Sequence, residues 1–220
     1  MKSAKKAIKK YLLSKMLPGE KSYPYRPYFD INECIFIHIP KVAGTSILKA
    51  LTSEAIFRDH CTYREFQCAD GAKFRQYFKF CFVRHPVDRL LSVYNYWRQG
   101  GNGKDDLYFS SLLNEKYTSI ELFVFDYLDE NRIHEHRLLI PQYLYVHNHK
   151  HELMVDFVGS FEKINEDFKI VARHLGLKGN LSHKNKTRQV VGSIKPSGCS
   201  EGVVNRIEDL YKHDFSLFDY

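Results

Sequence analysis

The stretch IFIHIPKVAGTSILKAL, residues 35–51, decides the reading of this chain. Ile35, Phe36, Ile37 and Ile39 form an apolar run typical of a buried strand. Pro40, Lys41, Val42, Ala43 and Gly44 follow as a small-residue loop. Thr45 and Ser46 then open a helix. A strand that feeds such a loop into a helix N-terminus leaves backbone N–H groups aimed at one point. With the helix dipole they make an anion site. Lys41 adds a full charge, and Thr45 and Ser46 add hydroxyl donors. The commonest phosphate loop, G-x-x-x-x-G-K-S/T, places its Lys after the last Gly. Here Lys41 precedes Gly44, so an ordinary strand-to-helix turn stays open as a reading of this segment alone.

A second segment repeats the design. FKFCFVRHPVDRLLSVYNYW occupies residues 78–97. Phe80, Cys81, Phe82 and Val83 predict a buried strand ending at Arg84. Pro86 suits the first position of a helix. Leu90, Leu91, Val93, Tyr94 and Trp97 recur at helical spacing. Arg84 thus falls at the C-terminal end of a strand, where ligands bind in open α/β sheets. Ser92 lies about two turns into the helix. The alternative is that Arg84 and Arg89 pair with carboxylates and Ser92 fills a helix position.

Together the two segments resemble the carbohydrate sulfotransferases of the Golgi-type and bacterial superfamily. The first resembles that family's 5′-phosphosulfate loop, here Pro40, Lys41, Val42, Ala43, Gly44, Thr45 and Ser46. The second resembles its 3′-phosphate motif, here Val83-Arg84-His85-Pro86 followed by Arg89, Ser92 and Tyr94. His85 departs from the Asp or Asn more usual there. VDFVGSFEKINEDF at 155–168 is similar to the family's later strand and helix. LSHKNKT at 181–187 is similar to its loop near the nucleotide, and YKHDFSLFDY at 211–220 to its ending. The resemblance implies a single three-layer, P-loop-like α/β domain over residues 21–220, with a central parallel sheet flanked by helices. It also implies 3′-phosphoadenosine 5′-phosphosulfate (PAPS) as sulfate donor and a carbohydrate hydroxyl as acceptor. Pro40, Lys41, Val42, Ala43, Gly44, Thr45, Ser46, Arg84, Ser92, Lys186 and Thr187 are then the donor-binding residues. Lys184 and Arg188 flank the last two in a basic loop.

Sulfuryl transfer asks for alignment and charge stabilisation, as phosphoryl transfer does. Lys41 is the expected stabiliser of the leaving phosphate oxygen, and no metal is required. The acceptor hydroxyl needs a base. His60 is the candidate, in FRDHCTYREF between the two motifs, where bacterial relatives show a similar H-x-T-x-x-E segment, here His60, Thr62 and Glu65. His134 and His136, just before Pro141 and Gln142, are its rivals. The Pro141–Gln142 pair resembles a family element near the acceptor side.

Composition sets the outer bounds. A chain of 220 residues with 44% hydrophobic and 15% aromatic residues can bury a sizeable core. The net charge of +7 suits a polyanionic nucleotide and an anionic or polyhydroxylated saccharide. No recognition-helix signature points to nucleic acid. A nucleotide kinase on a P-loop fold and a silent glycan-binding module are the alternatives. The kinase is weakened by missing Walker glycines and by the lack of an acidic strand end for Mg²⁺.

Five cysteines, Cys34, Cys61, Cys68, Cys81 and Cys199, form no C-x-x-C pair, and their odd number favours a reducing compartment. His60, Cys61 and Cys68 match no common zinc spacing. No run approaches the roughly 20 apolar residues of a membrane span, and no signal peptide is visible, so a bacterial-type cytoplasmic enzyme is expected. Residues 1–17 carry six lysines and an apolar series Ala4, Ile8, Leu12 and Met16. Residues 1–20 are therefore read as a basic segment, either an amphipathic helix on an anionic membrane surface or a solvated terminal helix.

The rest is coarse. A turn-rich linker covers 18–27. Helix is expected over 64–78 with a break at Gly71, over 119–129 with Ser119 as cap, and over 203–211. Residues 100–106 form a Gly-rich loop placed to border the acceptor. A hairpin is expected over 143–159, with HNHKH (147–151) as a solvated tip rather than a metal site.

Overall fold

The computed structural model describes residues 23–103, 106–177, 181 and 199–220. In chain order its elements are α1 (Pro27–Asn32), β1 (Cys34–Ile37), α2 (Gly44–Leu51), α3 (Tyr63–Ala69), α4 (Gly71–Gln76), β2 (Phe78–Val83), α5 (Pro86–Arg98), α6 (Leu107–Glu115) and α7 (Ile120–Leu122). A π-helical turn, Phe123–Tyr127, and a 3₁₀ turn, Arg132–His134, follow. Then come α8 (Tyr143–Val146), β3 (Phe157–Ser160), α9 (Ile164–Leu175), α10 (Glu201–Leu210) and α11 (Lys212–Leu217). The fold class is the expected one: an α/β arrangement around a three-stranded sheet of order β1-β2-β3. The described residues divide into two compact units. One holds 23–39, 43–82, 145–177 and 181; the other holds 40–42, 83–103, 106–144 and 199–220.

The first unit contains the sheet. Every residue of β1 is buried, and so is the second half of β2. Strands covered on both faces read as continuous apolar runs, and such strands suit parallel pairing. β1 and β2 are parallel, with Phe36 opposite Phe80. Their rings stack at 5.1 Å. β3 is tied to β2 through Asp156. Its amide donates to the Lys79 carbonyl at 2.8 Å, and its carboxylate takes the Lys79 amide at 2.7 Å and the Lys79 ammonium at 2.8 Å. α9 packs on β3 through a face that buries Phe168, Val171 and Ala172.

Local chemistry sets the helix starts. Thr62 and Glu65 form a capping box at α3. Asp70 caps α4 by accepting the amides of Ala72 at 3.0 Å and Lys73 at 2.9 Å. The break expected at Gly71 therefore belongs to Asp70, and Phe78 opens β2 instead of ending a helix. Ser119 caps α7 as expected, accepting the Leu122 amide at 3.3 Å. The hairpin expected over 143–159 is reduced to its centre. The segment opens with the helical turn α8, and its only cross-strand pairing among the described residues is the His147–Leu153 bridge. Between them the Asn148 side chain accepts the amides of Lys150 and Glu152; His149 and His151 are exposed as expected of a solvated tip, but His147 is buried.

The second unit is built on α5. Pro86 stands at its first turn, and Val87, Leu90, Val93, Tyr94 and Trp97 are buried along one face. Trp97 stacks on Phe109 of α6 at 4.1 Å, and α10 adds Val203, Ile207 and Leu210 to the same core. Among the described residues no helix is long and apolar enough to cross a membrane. Residues 1–20, Lys186 and Thr187 lie outside the described residues.

Phe36 is 1% exposed and stacked on Phe80, so deleting its ring leaves a cavity under the sheet. Phe36→Ala should lose about 3–5 kcal/mol of unfolding free energy. Urea denaturation should show this as a lower midpoint at unchanged slope.

Candidate active site

The loop after β1 is built on two strained residues. Lys41 has φ 69° and Ala43 has φ 62°, both left-handed and neither glycine. Such a backbone costs energy and persists only where the surroundings enforce it. Ala43 is the N-cap of α2, no side chain caps it, and no acidic residue lies in its first turn. The positive end of the helix is thus left for an outside anion. The helix begins at Gly44, one residue earlier than the sequence pattern indicated. Gly44 is buried, while Thr45 and Ser46 are half-buried.

Within the first unit, Gly44 meets His38. A Cβ at position 44 would lie 1.9 Å from His38 Nε2, so only glycine allows the imidazole to press against the helix start. His38 is 5% exposed and stacks on Phe36 at 5.4 Å. Burial, with the neighbouring His60 and Arg58 charges, pushes its pKa well below the usual histidine value, so it is neutral. His60 packs its ring 4.3 Å from that of His38, and its Nδ1 lies 2.9 Å from the His38 carbonyl oxygen. A carbonyl only accepts, so Nδ1 carries the proton and donates. When neutral, the His60 ring therefore holds its lone pair on Nε2. Glu65 is engaged in the α3 cap, where it accepts the Thr62 amide at 2.7 Å. Cys61 is buried, with its Sγ 3.1 Å from the Tyr23 hydroxyl, and Cys68 is exposed.

Within the second unit, the two sequence motifs meet. Arg84 Nη1 donates to the Lys41 carbonyl at 3.4 Å. The Arg84 peptide is clasped on both sides by one amide side chain. Arg84 N donates to Gln142 Oε1 at 3.0 Å, and Gln142 Nε2 donates to the Arg84 carbonyl at 2.8 Å. Gln142 is fully buried, and its own amide and that of Tyr143 each donate to Asp214 at 2.8 Å. Burial raises the Asp214 pKa, while Arg89 and the two amides oppose that rise. Arg89 is 1% exposed and donates to the carbonyls of Leu138, Leu139 and Ile140. It therefore braces the 138–140 backbone, and among the described residues it forms no ion pair. Gln142, Asp214 and Arg89 are the residues that sequence reasoning missed as supports of Arg84. The Pro141–Gln142 pair had been noted, but for the acceptor side.

The rival bases lie in the second unit. His134 is exposed at the end of the 3₁₀ turn. His136 accepts the Leu138 amide on Nδ1 at 3.1 Å and packs edge-on against Trp97 and Phe109. His85 stands at the N-cap of α5 without capping it, and instead packs against Phe215 at 5.4 Å and Tyr220 at 5.3 Å. Ser92 is half-buried on α5. Lys41 Nζ lies 4.2 Å from the Tyr96 ring centre. The Tyr96 hydroxyl donates to Asp106, as do Trp97 Nε1 and the Asn102 amide. Burial works against ionisation of Asp106, but these donors prevail and hold its carboxyl below the ordinary value. Among the described residues no cluster of His, Cys, Asp and Glu could hold a metal ion.

Gly44→Ala should destabilise the protein by about 1–3 kcal/mol through the clash with His38. Adding His38→Ala should recover part of that loss, and a double-mutant cycle in urea measures the coupling. Asp106 should contribute stability above its ordinary pKa of 3.8 and lose it as pH falls through its lower folded value. The melting-temperature gap between wild type and Asp106→Asn should thus be widest at neutral pH and narrow on acidification.

The model of the sulfotransferase family matches residues 29–220, nearly the whole described chain. No curated protein and no solved structure matches it. The matched span takes in both strand-ending loops, the Arg84 clasp and His60, and on that basis the chain belongs to the sulfotransferase family and is a sulfotransferase.

Proposed function

We propose that this enzyme uses PAPS to sulfate a hydroxyl group of a carbohydrate, with residues 21–220 as one catalytic domain. The observation that carries this reading is the pair of anion-type loops that follow two neighbouring parallel strands, with Arg84 hydrogen-bonded to the Lys41 carbonyl. The donor suits the residues present: an uncapped helix start without acidic neighbours, a strained loop bearing Lys41, and an arginine held by its backbone. When bound, PAPS supplies an activated sulfuryl group on a phosphate leaving group.

In this reading the amides of Gly44 and Thr45 and the Thr45 and Ser46 hydroxyls hold the 5′ side of the donor, since the Ser46 amide already donates to the Ala43 carbonyl at 2.9 Å. Pro40, Val42 and Ala43 shape the loop, and Arg84 and Ser92 hold the 3′-phosphate. Lys186 and Thr187 assist from the later loop. Lys41 balances negative charge on the departing phosphate oxygen. His60 Nε2 takes the proton of the acceptor hydroxyl as its oxygen bonds to sulfur. The hydrogen bond to the His38 carbonyl supports this role, since it keeps the lone pair on Nε2. The net charge of +7 favours an anionic or polyhydroxylated saccharide as acceptor over nucleic acid. A reducing, cytoplasmic setting, with residues 1–17 on an anionic membrane surface, completes the proposal.

Titration with adenosine 3′,5′-bisphosphate, and separately with ATP plus Mg²⁺, tests the donor class. Tight binding of the bisphosphate alone is expected, and preference for ATP–Mg²⁺ would make the chain a phosphotransferase. Sulfate transfer to a panel of polysaccharides, oligosaccharides and phenols tests the acceptor; turnover of phenols alone contradicts the glycan. Arg84→Ala should weaken bisphosphate binding by about 2–5 kcal/mol, because it deletes a charge-assisted contact. Near-normal calorimetry on that variant removes the assigned role. His60→Ala should lower kcat by about 10²–10⁴-fold and leave bisphosphate binding nearly intact. If the variant keeps full activity, His60 is not the base.

A further inference from the structure

Lys41 sits on a loop and carries a long, flexible side chain, yet its ammonium lies 4.2 Å from the centre of one aromatic ring. That ring belongs to Tyr96, one helical turn beyond Ser92 on α5. The hydroxyl of Tyr96 is fixed in turn, donating to Asp106 Oδ2 at 2.7 Å. Asp106 is 7% exposed and does more than hold Tyr96. Its Oδ1 accepts Trp97 Nε1 at 2.8 Å, and its Oδ2 also accepts the Asn102 amide at 2.8 Å. One carboxylate thus gathers two consecutive aromatic residues of α5 and the turn that follows the helix. The turn is shaped for this: Gly101 has φ 63°, and a Cβ there would lie 2.2 Å from Asp106 Cβ.

We propose that Tyr96, held by Asp106, is the positioning residue for Lys41. The inference rests on the reading of Lys41 as the charge opposite the leaving phosphate. Three physical steps carry it. A cation over a ring face is attracted by the ring quadrupole. A phenol that donates to a carboxylate is polarised so that its ring is richer in electron density, which strengthens the hold. The ring also removes rotamers from a lysine that would otherwise sample many, so the ammonium waits near one place instead of being recruited at each turnover. The pair at Tyr96 and Asp106 touches neither donor nor acceptor in this scheme. It acts through Lys41.

The test uses the full-length chain and the substitutions Tyr96→Phe, Tyr96→Leu, Asp106→Asn and Lys41→Arg. The first readout needs no turnover. Lysines are reductively methylated with ¹³C, and the Lys41 signal is assigned by its absence in Lys41→Arg. In the wild type this signal should be shifted upfield by the Tyr96 ring. The shift should persist in Tyr96→Phe, shrink in Asp106→Asn and vanish in Tyr96→Leu, with Tyr96→Met replacing the last if it does not fold. The second readout is sulfate transfer. Tyr96→Leu should lower kcat by about 3- to 30-fold, and Tyr96→Phe should recover most of the loss. An unshifted Lys41 signal in the wild type overturns the proposal. So does a Tyr96→Leu enzyme with unchanged kcat, or a Tyr96→Phe enzyme as slow as Tyr96→Leu, which would assign the effect to the Asp106 bond alone. A wild-type protein that shows the shifted signal but neither binds adenosine 3′,5′-bisphosphate nor transfers sulfate overturns the donor reading and leaves the Lys41–Tyr96 placement supported.

Discussion

The parallel pairing of β1 with β2 is the constraint on which the rest depends. Parallel strands run the same way, so the loops that leave them emerge at the same end of the sheet. With Phe36 opposite Phe80, the loop after Ile37 and the residues after Val83 become neighbours. Two motifs 43 residues apart in the chain then touch, through Arg84 and the Lys41 carbonyl. An antiparallel pairing of the same two apolar runs would send these loops to opposite ends. The parallel choice is stabilised by burial on both faces, which the all-apolar run of β1 permits.

Holding an arginine in place demands more than its own side chain. Here the fixing is done on the Arg84 backbone, by a fully buried glutamine whose two polar ends match one N–H and one C=O. Gln142 is anchored by Asp214, and the residues before it are anchored by Arg89 and by the Tyr211 hydroxyl, which donates to the Leu139 carbonyl at 2.8 Å. Buried charges of this kind cost desolvation and are weak sources of net stability. What they provide is a polar network with one good arrangement, complete but for the buried Arg89 Nε, so the Arg84 side chain starts from a rigid base. The guanidinium reaches the Lys41 carbonyl while the backbone is held by Gln142.

Two histidines divide the work in the first unit. Buried and neutral, His38 serves as a wall against which Gly44 closes, and its carbonyl sets the tautomer of His60. His60 is half-buried and keeps its proton-accepting nitrogen away from that carbonyl. Backbone strain at Lys41 and Ala43 belongs to the same design. A relaxed loop would not turn so sharply into the helix, and the helix start would lose its open amides.

Sequence alone determined the local grammar of this protein. Apolar runs of strand length, Pro86 at a helix start, Ser119 as a cap and the spacing of the α5 face follow from short-range sterics and hydrogen bonding, which need no knowledge of distant residues. The two strand-to-helix connections were legible for the same reason, and so was the family. Other features were decided by tertiary structure. Arg89 is in the same motif as Arg84, yet one braces the 138–140 carbonyls and the other is braced by Gln142; nothing in their spacing separates these fates, because the partners lie about 50 residues away. The surroundings of His60, His134 and His136 also depended on packing, since each is followed or preceded by similar polar residues. Only folding puts His136 against Trp97 and Phe109 and gives His60 a carbonyl for its Nδ1. The hairpin expected over 143–159 is shortened to one antiparallel bridge, and the start of that segment is instead a helical turn whose Tyr143 amide donates to Asp214, 71 residues on. Long-range polar contacts between buried groups leave no periodic mark in a sequence, and it is they that hold Arg84 beside Lys41 in one unit and His60 against His38 in the other.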